Sequence, residues 1–419
     1  MVEPVQPPTT TRPRQLPFYA LLAAQAISFA GNALAGIALP WFVLQTTGSA
    51  ARVGLVAFCA LLPQVLAATF GGAFVDRLGH RRASVVADLA SGIATMLVPL
   101  LYALGWLNFG LLLALVFGGA LLDAPGATAR AALFPELIGL ARLRPERANT
   151  AHEIVESGAG FAGPLLAGVL IALLGPTLVL WGNAASFLLS ATLVLGCVPS
   201  LRGGAHTADT ASYRDTLARG FRFVLRDPPI RGIFVIGAPL SFLIAPLFAV
   251  ILPFCLQTSS NNALGLGGTV GAFGGGAVLG ALVYGAVGYR WPLRITFLIG
   301  VFAIGGSFAV VAALPPVPIM IMIVALFLSG LISGPNGPLI TTILQERTPP
   351  ELRGSVFGAT TATGYVSGPL GVLLAGGLLQ TVGTRPTLLG ATAVFLAVAL
   401  ALTCDRGLHE LERHDTAPA

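Results

Sequence analysis

The chain is 419 residues long, 55% hydrophobic and only 10% charged, with a mean hydropathy of +0.85. A soluble chain of this length needs a more polar surface and divides into two or three domains, so an ordinary soluble protein is excluded. The net charge is +6 and all 23 basic residues are Arg, yet in so apolar a chain basic residues report membrane topology and make no case for nucleic acid.

Apolar runs recur along the chain, each long enough to cross a ~30 Å hydrocarbon layer as a helix of about 20 residues. Backbone groups in lipid must bond within their own segment, so these runs are helices; the alternating short strands of a membrane barrel are not seen. The first run begins near Pro17 and is too long for the core of a cleavable signal. In chain order the predicted spans are 17–43, 53–74, 83–104, 109–131, 153–174 and 177–198, then 232–255, 267–289, 295–314, 318–341, 355–379 and 387–404. The expected fold class is therefore an all-α integral membrane protein with twelve transmembrane helices in two six-helix, pseudo-symmetric bundles, 17–198 and 232–404. Tails at 1–16 and 405–419 and a polar linker at 199–231 complete the division.

With the N-terminus placed in the cytoplasm, 21 arginines fall on the inner side, Arg130 among them, against Arg52 and Arg385 outside. That bias sets both termini inside, in a cell membrane, and an odd span count would scramble it. The cysteines Cys59, Cys197, Cys255 and Cys404 are far apart, with no CxxC or Cys/His cluster, so neither disulfide, metal nor cofactor is expected.

Charge is concentrated in one turn, "GGAFVDRLGHRRAS" at 71–84. Gly72 permits close helix contact, Gly79 a sharp turn, and Asp76 puts an anion at a helix end. The halves also echo one another: "GFAGPLLAGVL" at 160–170 matches "VSGPLGVLLAG" at 366–376, and "GAFVDRLGHR" aligns weakly with "GAVGYRWPLR". Two six-helix halves in a parallel repeat suggest a transporter with its site between them.

The pattern Gly72-x-x-x-Asp76-Arg77-x-Gly79-x-Arg81 resembles the signature of the major facilitator superfamily between helices 2 and 3. "PELIGLARLRPERAN", "GFRFVLRDPPIRGIF" and "TPPELRGSVFG" resemble its drug and siderophore efflux branch, which includes macrolide and enterobactin exporters. The resemblance implies a conformational latch in which Asp76 bonds the start of helix 11 at Arg353-Gly354-Ser355, where free N–H groups and a positive dipole end attract an acid. It also implies that Asp123 extends the latch as a charge relay. The family usually has Arg where this chain has His80; Arg81 takes over that role, or the latch is pH-sensitive.

Acids inside membrane spans are costly and default to functional candidates. Asp88, in helix 3, is read as a partner for a loop arginine, with proton coupling as the alternative. Asp123 is read as relay or as proton or substrate site. Thr150-x-x-Glu153 reads as a capping box starting helix 5, with Glu153 a lesser proton candidate. Glu156 is read as the preferred proton or cation site, facing the cavity where poor solvation would favour its neutral form, with a buried ion pair as the alternative. Gly160, Gly163-Pro164 and Gly168 resemble a degenerate antiporter motif whose small residues let helices approach closely. The mid-helix-4 arginine common in proton-driven drug antiporters is not seen, Arg130 lying nearer the cytoplasmic end.

In the superfamily, helices 1, 4, 7 and 10 line the pathway. The candidates for binding substrate are Gln25, Ser28 and Asn32 on helix 1, Gln64 on helix 2, and Ser241 and Phe242 on helix 7, with bends at Pro246 and Pro253. Helix 10 offers Phe327, Ser333 and Asn336, and helix 11 Tyr365. Acids on one wall and no buried arginine favour a neutral or cationic amphiphile. Leu217, Phe221 and Val224 at helical spacing make the linker a helix lying on the inner leaflet.

The expectation is a monomeric secondary transporter, not an enzyme, that exports a small amphipathic or hydrophobic compound with the proton as coupling ion. The alternatives are a facilitator or importer without proton coupling, or a lipid-moving or scaffold membrane protein.

Overall fold

The structure is a computed structural model that describes residues 15–200, 213–288, 291–313, 318–349 and 352–403. Both tails, Cys404 and the linker stretch 201–212 lie outside the described residues. The side chains of Asp76, Arg77 and Leu217 and the surroundings of Gly72 and Gly354 also lie outside them.

The first half comprises α1 (Leu16–Thr47), α2 (Ala50–Leu78), α3 (His80–Ala103), α4 (Phe109–Ala141), α5 (Pro145–Leu174) and α6 (Pro176–Cys197). Helix α7 (Tyr213–Arg226) belongs to the linker. The second half comprises α8 (Pro228–Pro246), a π turn (Leu247–Ile251), α9 (Leu252–Ser260), α10 (Ala263–Val287), α11 (Leu293–Ala313), α12 (Ile319–Ser333), α13 (Asn336–Arg347), α14 (Arg353–Thr381) and α15 (Thr384–Thr403). Among the described residues eleven helical segments are long and apolar enough to cross a membrane, and the apolar stretch Ala50–Val65 of α2 makes the twelfth span.

Two spans are broken, each at proline. Pro246 precedes the π turn, so α8 and α9 together form the seventh span with a bulge. Gly334-Pro335 separates α12 from α13 in the tenth. Helices α4 and α5 both exceed expectation. The first runs to Ala141 rather than ending near 131, because Leu133, Phe134, Leu137 and Ile138 are buried with Phe18, Leu21 and Ala148. The second starts at Pro145, a residue suited to the first helical position, rather than near 153.

The halves meet chiefly along two helix pairs, α2 with α14 and α5 with α10, with smaller contacts of α1 on α9 and of α1 and α2 on the π turn. At the end away from the termini each of the two pairs meets glycine on glycine. A Cβ on Gly54 would lie 2.6 Å from the Val372 carbonyl oxygen, and one on Gly376 2.8 Å from that of Ala50. A Cβ on Gly168 would lie 2.8 Å from Gly267 Cα, and one on Gly267 2.5 Å from the Pro164 carbonyl oxygen. Backbones this close exclude any side chain, so the far end is shut by main-chain packing.

The other helix-5 glycines do different work. Gly163 faces Ala33 of α1 within its own half, and a Cβ on Gly160 would meet nothing within 4 Å, so close approach is made at Gly163 and Gly168 and not at Gly160.

Helix α7 corrects a second expectation. Its apolar face does not lie on lipid. Val224 is fully buried with Val356 and Ala359 of α14 and Leu344 of α13, and the Phe221 ring meets Phe234 edge-on at 5.5 Å. Protein covers that face because Gly220 brings the α7 backbone onto the Ser355 carbonyl.

Candidate functional site

A cavity of about 710 Å³ opens between α1 to α6 of the first half and α14 of the second. Its wall is mostly apolar, including Phe29, Leu39, Leu61, Val98 and Phe187. Among the predicted site residues, Asn32, Gln64, Asp123, Glu156 and Tyr365 all reach it.

The remaining substrate candidates lie outside this wall. Gln25 and Ser28 are buried, and Gln25 Oε1 and Ser28 Oγ find no hydrogen-bond partner among the described residues. Ser333 donates to the Gly330 carbonyl of its own helix, and the buried Asn336 amide is set against Gly300 of α11. The Phe242 carbonyl packs on Gly371, the Ser241 hydroxyl faces Gly364, and the Phe327 carbonyl packs on Gly276. None of these helix-7 and helix-10 positions lines the cavity, and the expectation that they contribute to its wall is corrected for this cavity.

The chemistry of the wall begins with one arginine. Arg130 Nη1 bonds Asp88 Oδ1 at 2.5 Å, and Arg130 Nη2 stands 3.7 Å from Asp123 Oδ1. Asp88 also accepts from Ser190 Oγ at 2.7 Å, and Asp123 from Asn32 Nδ2 at 3.1 Å. A single guanidinium thus spans two carboxylates, and α1, α3, α4 and α6 each supply a member. With both acids ionised the network carries one net negative charge.

Helix geometry explains the assembly. Asp123 and Arg130 are seven residues apart, about two turns, and so share a face. A long helical side chain runs back toward the helix N-terminus. Gly126, lying between, leaves the room; a Cβ there would be 2.9 Å from Ala87 Cβ and 3.5 Å from Arg130 Nη1.

Three sequence readings are corrected here. Asp88 pairs with a buried helix residue, not a loop arginine. Arg130 is 2% exposed and leaves the count of surface arginines, and the expectation of no buried arginine fails with it. The capping box of Thr150 and Glu153 does not form, because α5 has already begun at Pro145; Thr150 Oγ1 donates to the Glu146 carbonyl, and Glu153 accepts from Ser157. Arg130 was the signal missed: acid and base seven residues apart with glycine between them was legible as one helix face.

Glu156 faces the cavity with its side chain 60% exposed. His152, one turn earlier and not singled out in the sequence, places Nε2 3.7 Å from the Glu156 carboxylate. Its ring lies tilted against Phe29 and Phe134, at 6.0 and 5.2 Å between centroids.

At the end bearing the termini, basic side chains bind helix C-ends within their own halves. Arg81 donates to the Val194 and Leu195 carbonyls that end α6. Arg353 donates to the Gln345 and Thr348 carbonyls that end α13, at 3.0 and 3.3 Å. Both favour the negative pole of a helix. Gly79 turns the chain between α2 and α3 at φ +78°, a conformation that favours glycine. His80 Nδ1 lies 3.3 Å from Glu136.

Residues 21–372 match the family model described as the Major Facilitator Superfamily. The chain belongs to the Major Facilitator Superfamily. Among curated relatives, it is 34% identical over 394 residues to the multidrug efflux pump Tap of Mycobacterium tuberculosis, covering 93% of this chain and 91% of that one. It is 27% identical over 364 residues to the enterobactin exporter EntS of Escherichia coli, covering 86% and 85%. In three dimensions it resembles the nucleoside transporter NupG with a TM-score of 0.75, at 14% identity, over 92% of this chain and 98% of that one. As a member of the superfamily the protein is a multi-pass membrane transporter and not an enzyme.

Proposed function

We propose that this superfamily member exports small amphipathic compounds, cationic or neutral, in exchange for protons, and that Asp123 carries the coupling proton. The observation that carries the reading is the unequal sharing of Arg130. Asp88 is buried and held at 2.5 Å, whereas Asp123 opens on the cavity and is held at 3.7 Å. A proton on Asp123 neutralises the network without disturbing the tighter pair. Glu156, exposed on the same wall, is the second anionic anchor for a cation rather than the first proton site. The names of the relatives Tap and EntS support export, and the arginine bias supports cytoplasmic termini.

The inner latch belongs to the same proposal. Asp76 on α2 and the start of α14 at Arg353 and Gly354 are its two sides, supported by the packing of α2 along α14. Rocking of the halves about the cavity would open this end as the glycine contacts close the other.

The test is purified protein in vesicles, with a cationic dye and an imposed pH gradient. Wild-type protein is expected to move dye against its gradient, and Asp123→Asn to retain only downhill exchange. Unchanged uphill transport in Asp123→Asn would remove the proton assignment and leave facilitation as the reading.

A further inference from the structure

Helix α7 presents two unlike faces. Gly220, Phe221 and Val224 are turned into the second half, against Ser355, Phe234 and Val356. Arg222 and Arg226 fall on the opposite side, one turn apart, and both are exposed. Leu225, 53% exposed, borders this pair.

We propose that Arg222 and Arg226 form a docking surface for the headgroups of anionic phospholipids. Four observations converge on that partner. First, α7 needs no lipid for its apolar side, since protein covers it, so the helix is held with its arginines facing away from the bundle. Second, Arg226 is only four residues before Ile230, where the seventh span begins, so α7 lies at the level where α8 enters the bilayer. Third, Arg222 and Arg226 are four residues apart on one helix, a spacing at which like charges repel, and an anion lying along them relieves the repulsion. Fourth, the acid next in the chain is already engaged: Asp227 caps α8 through the Ile230 N–H at 3.0 Å and stands 3.8 Å from Arg347. The exposed Leu225 fits shallow insertion beside the phosphates.

The consequence is mechanical. Because Gly220 sits on Ser355 at the start of α14, a headgroup holding α7 also ties the beginning of α14 to the leaflet. The inference rests on membrane residence alone and is independent of proton coupling.

The test uses the purified full chain titrated with phosphatidylglycerol or phosphatidylcholine, with bound lipid counted by native mass spectrometry. Phosphatidylglycerol is expected to bind preferentially. Arg222→Gln with Arg226→Gln should weaken it about thirtyfold, two charges at about 1 kcal/mol each. The lysine pair Arg222→Lys with Arg226→Lys should restore binding, which separates charge from misfolding. Soluble glycerol 3-phosphate should not compete at millimolar concentration. Three results would overturn the proposal: equal affinity for both lipids, an equal loss in the control Arg142→Gln with Arg144→Gln on the other half, or displacement by glycerol 3-phosphate.

Discussion

Arg130 of α4 and Asp88 of α3 form an ion pair at 2.5 Å with side chains 3% and 0% exposed. No water-exposed surface screens it, so removing one partner strands a charge in a low-dielectric interior. Arg130→Gln leaves both Asp88 and Asp123 uncompensated and is expected to cost about 3–5 kcal/mol. Asp88→Asn leaves Arg130 with Asp123 and should cost less, about 1–3 kcal/mol. Asp123→Asn keeps the tighter pair and should change stability least. Thermal unfolding in detergent should rank the variants in that order; an Asp123 variant as unstable as the Arg130 variant would contradict the unequal sharing.

Proton and cation are expected to compete at Asp123. Binding of a cationic dye to the purified protein should therefore weaken as pH falls, because a protonated carboxyl offers the cation no charge. In Asp123→Asn the dye should bind weakly with its pH dependence flattened. Equilibrium dialysis across a pH series measures both.

Closure at the far end depends on absent side chains. Gly168→Leu or Gly54→Leu would drive a side chain into backbone that lies only 2.6–2.8 Å from where its Cβ would sit. Overpacking of this kind costs about 1–3 kcal/mol, which here penalises the closed end and not the fold. Cysteine labelling at the far end should increase severalfold while the protein remains folded; unchanged labelling would contradict the role of the two contacts.

Gly220→Val places a branched side chain against the Ser355 carbonyl. Helix α7 should lift from α14, exposing Val224 and Phe221. Hydrogen exchange across 219–226 should accelerate at least tenfold, with the transmembrane helices unaffected.

Some of the site was legible in advance and some was not. Asn32, Asp123 and Glu156 are polar residues in apolar helices, and their cost in lipid marks them without coordinates. Gln25, Ser28, Ser333 and Asn336 carry the same mark yet point elsewhere, because a helix offers its polar groups to neighbouring helices as readily as to a cavity. Arg130 lay at the edge of a predicted span, where charge is cheap. Only the extension of α4 to Ala141 put it inside.

Hydropathy and arginine placement alone determined that the chain is a twelve-span membrane protein with one basic face, because transfer into lipid is a local property that each segment settles for itself. Which helix faces meet is decided by contacts between segments distant in the chain. So only the tertiary structure could join Asn32, Asp123, Arg130, Asp88 and Ser190 into one network, seat Gly168 on Gly267, and turn the apolar side of α7 onto protein instead of lipid.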